Sequence, residues 1–491
     1  MKTLAEILNN INYKECFGDL NIPISSIAFD SRKVVTNSLF IAVRGAEADG
    51  HGYINKAAAQ GATAITCEEI PENANNLTIV RVENSRLALA LAAHNYFDNP
   101  TNNLNIIGIT GTNGKTTITY LLKSIYEAAG KQFGFIGTTG ANLGERRLPT
   151  INTTPDPLSL CSFFSEALSY GITDIAMEVS SHALSQNRID AIRFSAIAFT
   201  NLTHDHLDYH HTIDNYAKAK KLLFEFADEQ TVAIINGDDD YGDFMLRGCL
   251  SAIQLKLGRK SKNDIIIKNE KVDFSGIRFQ LVLPDKRNIE IITPLIGRFN
   301  IDNAAMAAAL AINQGISEEF VIEGLSKSSG APGRMQTHKL QNGAVAVIDY
   351  AHTPDALLKA LTTCREILEP QNRLLCVFGC GGNRDAMKRP VMGKISASIA
   401  DLSIITSDNP RNEEPEQIIE QILNGIPESS LSNVLCIPDR KDAIGYAYMN
   451  SKKGDIILIA GKGHETYQII GAERLHFDDA ETVLQWSMSN G

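Results

Sequence analysis

Residues 105–122, NIIGITGTNGKTTITYLL, pass from an apolar run through a glycine loop into a helical pattern. Gly111 and Gly114 permit backbone conformations that other residues avoid. The N–H groups of Gly111, Thr112, Asn113 and Gly114 can surround phosphate oxygens, together with those of the helix start at Lys115, Thr116 and Thr117. Lys115 reaches terminal phosphates, and the Thr116 hydroxyl suits Mg²⁺. The pattern falls one glycine short of G-x-x-x-x-G-K-[ST], because Ile109 stands at its first position. The context of strand, loop and helix reads as an ATP site rather than a chance Gly-Lys-Thr.

Downstream, AMEVSSHALSQNR (176–188) places Glu178 at a strand end, and FTNLTHDHLDYHH (199–211) carries four histidines. The H-x-H spacing with two further histidines has the composition of a transition-metal cluster. A polar loop with satisfied histidines is the favoured reading over zinc. Lys218, Lys220 and Lys221 crowd one probable helix, where a solvated face is the plain explanation. In the last third, the loops FGCGGNRDAMKRP, TSDNPRNEEP and AGKGHETYQ each follow an apolar run. They carry Arg384, then Asp408, Asn409, Pro410 and Arg411, then Gly461 and Glu465. Arginines bind carboxylates in a two-pronged manner and acids bind ammonium groups, so the mixture suits a zwitterionic ligand. Asn409-Pro410 is a turn signal, and Glu413, Glu414 and Pro415 suit a helix start.

The elements that must position these residues are legible as alternation. NIIGIT, FGFIGT, DIAMEV, SAIAFT and TVAIIN, then AVAVIDY, LLCVFG, LSIITS and IILIAG, are short apolar runs separated by helical patterns. Such runs suit strands buried on both faces of parallel sheets. Ligands of open α/β sheets bind beyond the carboxyl ends of the strands, where the polar loops fall. FDNPTNN (97–103) and SSGAPGR (328–334) are turn-rich breaks. They divide the chain into 1–98, 99–332 and 333–491. The first segment is expected to hold short strands, helices near 53–60 and 85–97, and a polar amphipathic helix at the N-terminus.

The bulk numbers bound the function. A chain of 491 residues with 44% hydrophobic and 21% charged residues is a soluble globular composition. A formal charge of −11 and the lack of a long basic run argue against nucleic acid. Eight scattered cysteines without C-x-x-C read as free thiols of a reducing cytoplasm. Neither a signal segment nor a membrane span is read, and LALALAA (87–93) is too short to be one.

T-G-T-N-G-K-T-T resembles the Mur ligases, ATP-dependent amide-forming enzymes of bacterial cell-wall synthesis, and the resemblance covers nearly the whole chain. It implies three α/β domains: a small UDP-binding domain, a central P-loop-type mononucleotide-binding domain and a Rossmann-like C-terminal domain. It implies Glu178 and His206 near Mg²⁺, and Lys220 carbamylated, so that an ammonium that would repel the ion becomes an oxygen ligand. His204, His210 and His211 are not needed for that role. IGRFNIDNAAMAAALA resembles the adenine-side helix through Asn300 and Asn303, although Asn300 could also be a helix cap. APGRMQ and VIDYAHTPDAL imply Arg334 as a cation for the γ-phosphate and Asp349 as a ribose or hinge contact. A cation delivered from another domain implies closure before reaction. The D-S-R segment and G-x-x-x-D-G imply UDP contacts by Phe29, Ser31, Ala46, Glu47 and Ala48. Diaminopimelate-adding members often carry histidine where Ala46 stands, which leaves only a backbone contact there. INTTPDP implies a muramoyl-dipeptide loop through Asn152, Thr153 and Thr154, completed by Ser180, Gln186 and Arg188.

Asp408–Arg411 resembles the D-N-P-R signature of diaminopimelate-adding ligases. The reaction so implied is addition of meso-diaminopimelate to UDP-N-acetylmuramoyl-L-alanyl-D-glutamate through an acyl phosphate, by a cytoplasmic monomer. A lysine-adding ligase is the nearest alternative. Lysine has no distal carboxylate, which would leave a buried Arg411 unpaired at a cost. A folate polyglutamate synthase would be expected to lack the D-S-R domain. A non-catalytic nucleotide switch would have no use for Glu178, His206 and Lys220 together.

Overall fold

The apolar runs are the strands of two parallel sheets. The computed structural model describes every residue except 46, 47, 73–76, 145, 151, 252, 274, 490 and 491. The chain separates into one compact unit of residues 1–265 with 308–316, and a second of 266–307 with 317–491.

In the first unit, Phe133–Gly137, Asp174–Glu178, Asn105–Thr110, Ala196–Phe199 and Val232–Asn236 lie side by side in that order, all parallel. Their register brings the carboxyl ends Glu178, Thr110 and Phe199 to one edge. Buried isoleucines on both faces of the strands exclude water from the backbone ladder. The antiparallel strands Gly140–Leu143 and Arg146–Leu148 extend the sheet beyond Phe133–Gly137. The N-terminal part forms a separate five-stranded sheet from Tyr13–Phe17, Ser26–Ala28, Ser38–Ile41, Ala62–Cys67 and Thr78–Val82. Helices Ile54–Ala59 and Ser85–Tyr96 match the two expected helices closely.

The N-terminal amphipathic helix is a correction. Only Leu4–Ile7 is helical, one turn held by a capping box between Thr3 and Glu6. Asn10 turns to φ +60, and Tyr13–Phe17 then runs as a strand. A left-handed residue cannot continue a right-handed helix, so local backbone preference overrides the apolar period.

In the second unit, Val345–Asp349, Ile456–Ala460, Leu374–Phe378, Leu402–Ile405 and Val434–Cys436 form a parallel sheet, with Gln336–Lys339 antiparallel on its edge. Ile265–Asp273, Gly276–Val282 and Asn288–Thr293 make an antiparallel meander. A short hairpin, Tyr467–Ile470 with Glu473–His476, follows the last parallel strand. No helix among the described residues is long and apolar enough to cross a membrane.

Candidate active site

The phosphate loop is built by close approach. Gly111 has φ +143, and a Cβ there would lie 1.9 Å from Thr200 Oγ1. Only glycine therefore lets the loop settle on the neighbouring strand end. Thr200 Oγ1 donates to the Asn113 carbonyl at 2.6 Å, and the Asn113 N–H donates to Asn201 Oδ1 at 3.0 Å. The Thr112 N–H bonds the Asn201 carbonyl at 2.8 Å. Gly114, at φ +92, starts the helix Lys115–Ala128, whose first residues include Lys115, Thr116 and Thr117. Lys115 Nζ folds back on the carbonyls of Gly111 at 2.7 Å and Thr112 at 2.9 Å.

Lys220 lies on the helix Ile213–Glu225 and is 1% exposed. Its Nζ donates to the same Gly111 carbonyl at 2.8 Å and lies 4.3 Å from the Tyr216 ring centroid. Burial drives this ammonium well below its usual pKa, Lys115 adds to the effect, and Asp205 opposes it. Glu178 is also 1% exposed. Its carboxylate accepts from the Thr138 N–H at 3.0 Å and the Thr138 hydroxyl at 3.1 Å. A Cβ at Gly137 would meet it at 2.1 Å, so Gly137 makes room for it.

The histidines do not gather as a transition-metal cluster. Among the described residues, no three His, Cys, Asp or Glu side chains are grouped to hold a metal ion. His204, His206 and His211 are exposed, whereas His210 is buried and bonded to Ser181 Oγ at 2.9 Å. Burial brings His210 down to about 4. His206 has φ +52, and its ring lies 5.0 Å from that of His182, a neighbour the sequence did not flag.

Of the residues matched to the muramoyl-dipeptide loop, all but Asn152 are hydrogen-bonded to one another or to the Glu178–Thr138 pair. Thr154 Oγ1 donates to the Glu178 carbonyl at 2.8 Å and accepts from the Ser180 N–H at 3.0 Å. Arg188 donates to the Thr154 carbonyl at 2.9 Å and, through two nitrogens, to Gln186 Oε1. Thr153 Oγ1 lies 3.2 Å from Thr138 Oγ1, while Asn152 is exposed. In the N-terminal sheet, Ser31 is buried and begins a short 3₁₀ turn capped by Asp30, just after half-buried Phe29. Ala46 and Glu47 lie outside the described residues. Ala48 accepts the Gly45 N–H at 2.9 Å, and Arg86 holds the Arg44 carbonyl. Asn84, which caps the same helix as Arg86, reaches Asn187 at 3.4 Å.

In the second unit, Asn300 is the second residue of the helix Phe299–Asn313 rather than its cap. Its Nδ2 donates to the Ile296 carbonyl at 2.8 Å, and Asn303 donates to Asn300 Oδ1 at 2.9 Å. Asp349 Oδ2 accepts the Met335 N–H at 2.8 Å and so fixes the backbone after Arg334. Burial raises the Asp349 carboxyl, and Arg334 opposes that shift. The Arg334 guanidinium lies 5.1 Å from the Tyr350 ring centroid, and the Tyr350 ring lies 5.1 Å from that of His464.

Three loops converge at the carboxyl edge of the C-terminal sheet. Asn409 Nδ2 donates to Glu465 Oε2 at 2.9 Å, while its Oδ1 accepts from Lys462 Nζ at 3.2 Å. Lys462, absent from the sequence expectations, is 0% exposed. It lies 3.7 Å from Asp408 and 3.5 Å from Glu465. Burial lowers its pKa, and the two acids oppose that. Asp408 Oδ1 is buried without a hydrogen-bond partner among the described residues. A Cβ at Gly461, φ +117, would lie 3.3 Å from Asp408 Oδ2. Arg411 Nη1 donates to the carbonyls of Gly382 at 2.8 Å and Asn409 at 3.3 Å. A Cβ at Gly381 would lie 3.0 Å from Arg411 Nη1 and 3.8 Å from Arg384 Cγ, so both arginines border that glycine. Pro410 closes the turn, its carbonyl packed on Gly382. Buried Arg389 grips Glu413 through both Nη atoms and ties the first loop to the second.

Three family models match in succession. Residues 23–97 match the Mur ligase family catalytic domain, 109–311 the Mur ligase middle domain, and 333–463 the Mur ligase glutamate ligase domain. A UDP-N-acetylmuramoyl-L-alanyl-D-glutamate–2,6-diaminopimelate ligase of Clostridium acetobutylicum is 42% identical over 486 residues, 98% of both chains. An enzyme of the same name from Bacteroides fragilis is 41% identical over 487 residues, again 98% of both. A solved structure of a ligase of that name superimposes with a TM-score of 0.75 at 33% identity, covering 99% of both chains. The chain belongs to the Mur ligase family.

Proposed function

We propose that this protein joins meso-2,6-diaminopimelate to UDP-N-acetylmuramoyl-L-alanyl-D-glutamate at the expense of ATP, in peptidoglycan precursor synthesis in the cytoplasm. The observation that carries the substrate choice is the convergence of Arg384, Asp408, Asn409, Arg411, Gly461 and Glu465 on one sheet edge. It offers guanidinium groups and carboxylates together, the complement of an amino acid with two charges at its distal end. The relatives named for this reaction span the whole chain.

The chemistry follows from the residues. By resemblance, the loop Gly111–Thr117 with Lys115 is assigned to the ATP phosphates, Asn300 and Asn303 to the adenine, and Asp349 to the ribose. Arg334 supplies a cation for the γ-phosphate. Phe29, Ser31 and residues 46–48 hold the uridine nucleotide. Asn152, Thr153, Thr154, Ser180, Gln186 and Arg188 hold the peptide arm and aim its carboxylate. That carboxylate attacks the γ-phosphate, giving an acyl phosphate and ADP. The amino group of diaminopimelate then attacks the acyl carbon, and phosphate leaves.

Thr116, Glu178, His206 and Lys220 are the residues that would hold Mg²⁺. Thr116 and the buried Glu178 carboxylate offer hard oxygens, and His206 stands nearby in sequence to the helix of Lys220. Lys220, sealed from water and held as a poor ammonium, is suited to carry a carbamate whose oxygens join them. The ion, when bound, neutralises charge on the transferring phosphoryl group.

The test is phosphate release with ATP, the UDP-dipeptide and a panel of amino acids. Release is expected only with both substrates present and fastest with meso-diaminopimelate. Faster release with L-lysine would overturn the substrate assignment, and ATP hydrolysis without either substrate would overturn the ligase reading.

A further inference from the structure

The hairpin Tyr467–Ile470/Glu473–His476 belongs to none of the motifs that named the site, yet it is bonded to most of the Asp408–Arg411 turn. Gln468 Nε2 donates to the Asp408 carbonyl at 2.7 Å. The Ile469 N–H donates to Asn409 Oδ1 at 2.9 Å. The Arg411 N–H donates to the Ile469 carbonyl at 3.1 Å, and the Gly471 N–H to the Arg411 carbonyl at 2.7 Å. Arg411 thus pairs with Ile470 as an isolated parallel bridge.

These bonds meet an unusual backbone. Arg411 has φ +54, the left-handed region that a residue with a Cβ avoids. Such a conformation persists only where its surroundings over-determine it. Both backbone bonds of Arg411 go to the hairpin, and they fix that φ. The conformation in turn sends the side chain toward the glycine loop, where Nη1 is held by Gly382 and Asn409. The other guanidinium N–H groups carry no bond to a described residue and remain available to a ligand. The hairpin is itself braced: the Arg474 guanidinium lies 3.6 Å from the Tyr467 ring centroid, and Gly471, at φ +58, makes its turn.

We propose that this hairpin is the specificity-setting clamp of the amino-acid site. It holds Arg411 in the left-handed conformation that presents its guanidinium to a second carboxylate, and Gln468 is the positioning side chain. The inference rests on the assignment of Arg411 to the distal carboxylate.

The experiment compares kcat/KM for meso-diaminopimelate and L-lysine in the full-length wild type, Gln468→Ala, Gln468→Glu, Arg411→Ala and the Gln468→Ala/Arg411→Ala pair. Gln468→Glu keeps the size but loses the N–H donor. Both Gln468 variants are expected to lower the diaminopimelate-to-lysine ratio about tenfold through a higher KM for diaminopimelate, with the KM values for ATP and UDP-dipeptide unchanged. In the double variant Gln468→Ala should add no further loss, because it acts through Arg411. An unchanged ratio, an equal fall for both amino acids, or additive losses would overturn the clamp. If Arg411→Ala itself keeps the wild-type ratio, the assignment of Arg411 fails, whatever Gln468 does.

Discussion

Lys220 and Lys462 are both sealed from solvent, at 1% and 0% exposed, and burial lowers both ammonium groups. Their surroundings differ in kind. Lys220 has one carbonyl oxygen, an aromatic face and a second lysine near it. Lys462 has Asp408, Glu465 and the Asn409 amide oxygen. A buried amine without a carboxylate partner is costly as a cation and reactive as a neutral base. A buried amine between two acids is a structural cation whose removal strands its partners. The first surroundings favour a neutral amine, and the second hold a cation between two acids.

Exchanging each lysine for methionine breaks the comparison most severely. Lys462→Met should lower the free energy of unfolding by about 3–5 kcal/mol, because it leaves Asp408 and Glu465 facing each other without the cation. Urea unfolding reads this, and a change below about 1 kcal/mol would remove Lys462 from the charge balance. Lys220→Met should leave stability unchanged or improved, since an apolar side chain replaces a poorly paired ammonium. Its turnover should fall about 10²–10³-fold. Substantial activity retained in Lys220→Met would end the proposed carbamate role. Intact-mass analysis should find a carbamate on Lys220 and none on Lys462.

Arg411→Ala comes next. A charged hydrogen bond is worth about 1.5–3 kcal/mol, so kcat/KM for meso-diaminopimelate should fall roughly 10–100-fold. The KM values for ATP and the UDP-dipeptide should stay put. Equal loss in all three would mean that Arg411 supports the fold rather than the ligand.

The smallest effect is in pH. His464, on the Lys462 loop, is pushed down to about 4 by burial and by Arg334, from an unfolded value of 6.5. Below pH 6.5 the unfolded chain takes a proton that the folded chain refuses until about pH 4. Stability from this group is therefore complete above pH 6.5 and lost as the pH falls toward 4. Between pH 7 and pH 5 the loss is about 2 kcal/mol. Urea midpoints of His464→Phe should show a shallower acid limb than the wild type. Parallel limbs would show that His464 titrates normally.

The same contrast explains what was legible in the sequence. Glycine loops and apolar runs are local, so the strands Asn105–Thr110, Asp174–Glu178, Leu374–Phe378 and Ile456–Ala460 were readable from their own residues. The segment at Gly111–Thr117 was readable because its chemistry is written in one short run. Lys462 was not, because Asp408 and Asn409 reach it from more than fifty positions away. Thr138 was hidden likewise, forty positions from the Glu178 carboxylate it holds. The hairpin after Thr466 carries no strong turn signature beyond Gly471, and its role depends on pairing with Arg411. The apolar spacing of the N-terminus suggests a longer helix than Leu4–Ile7, because it masks the turn at Asn9-Asn10. Asn300 reads as a cap from its sequence alone, yet the helix begins one residue earlier, at Phe299.

The central proposal is that the phosphate loop sets the reaction and the Asp408–Arg411 turn sets the amino acid. The most direct test is a competition with ATP, the UDP-dipeptide and equal concentrations of meso-diaminopimelate and L-lysine, with both products counted by mass. A site built to bond a distal carboxylate should favour the diaminopimelate product about 10²-fold or more. A mixture dominated by the lysine product would contradict it.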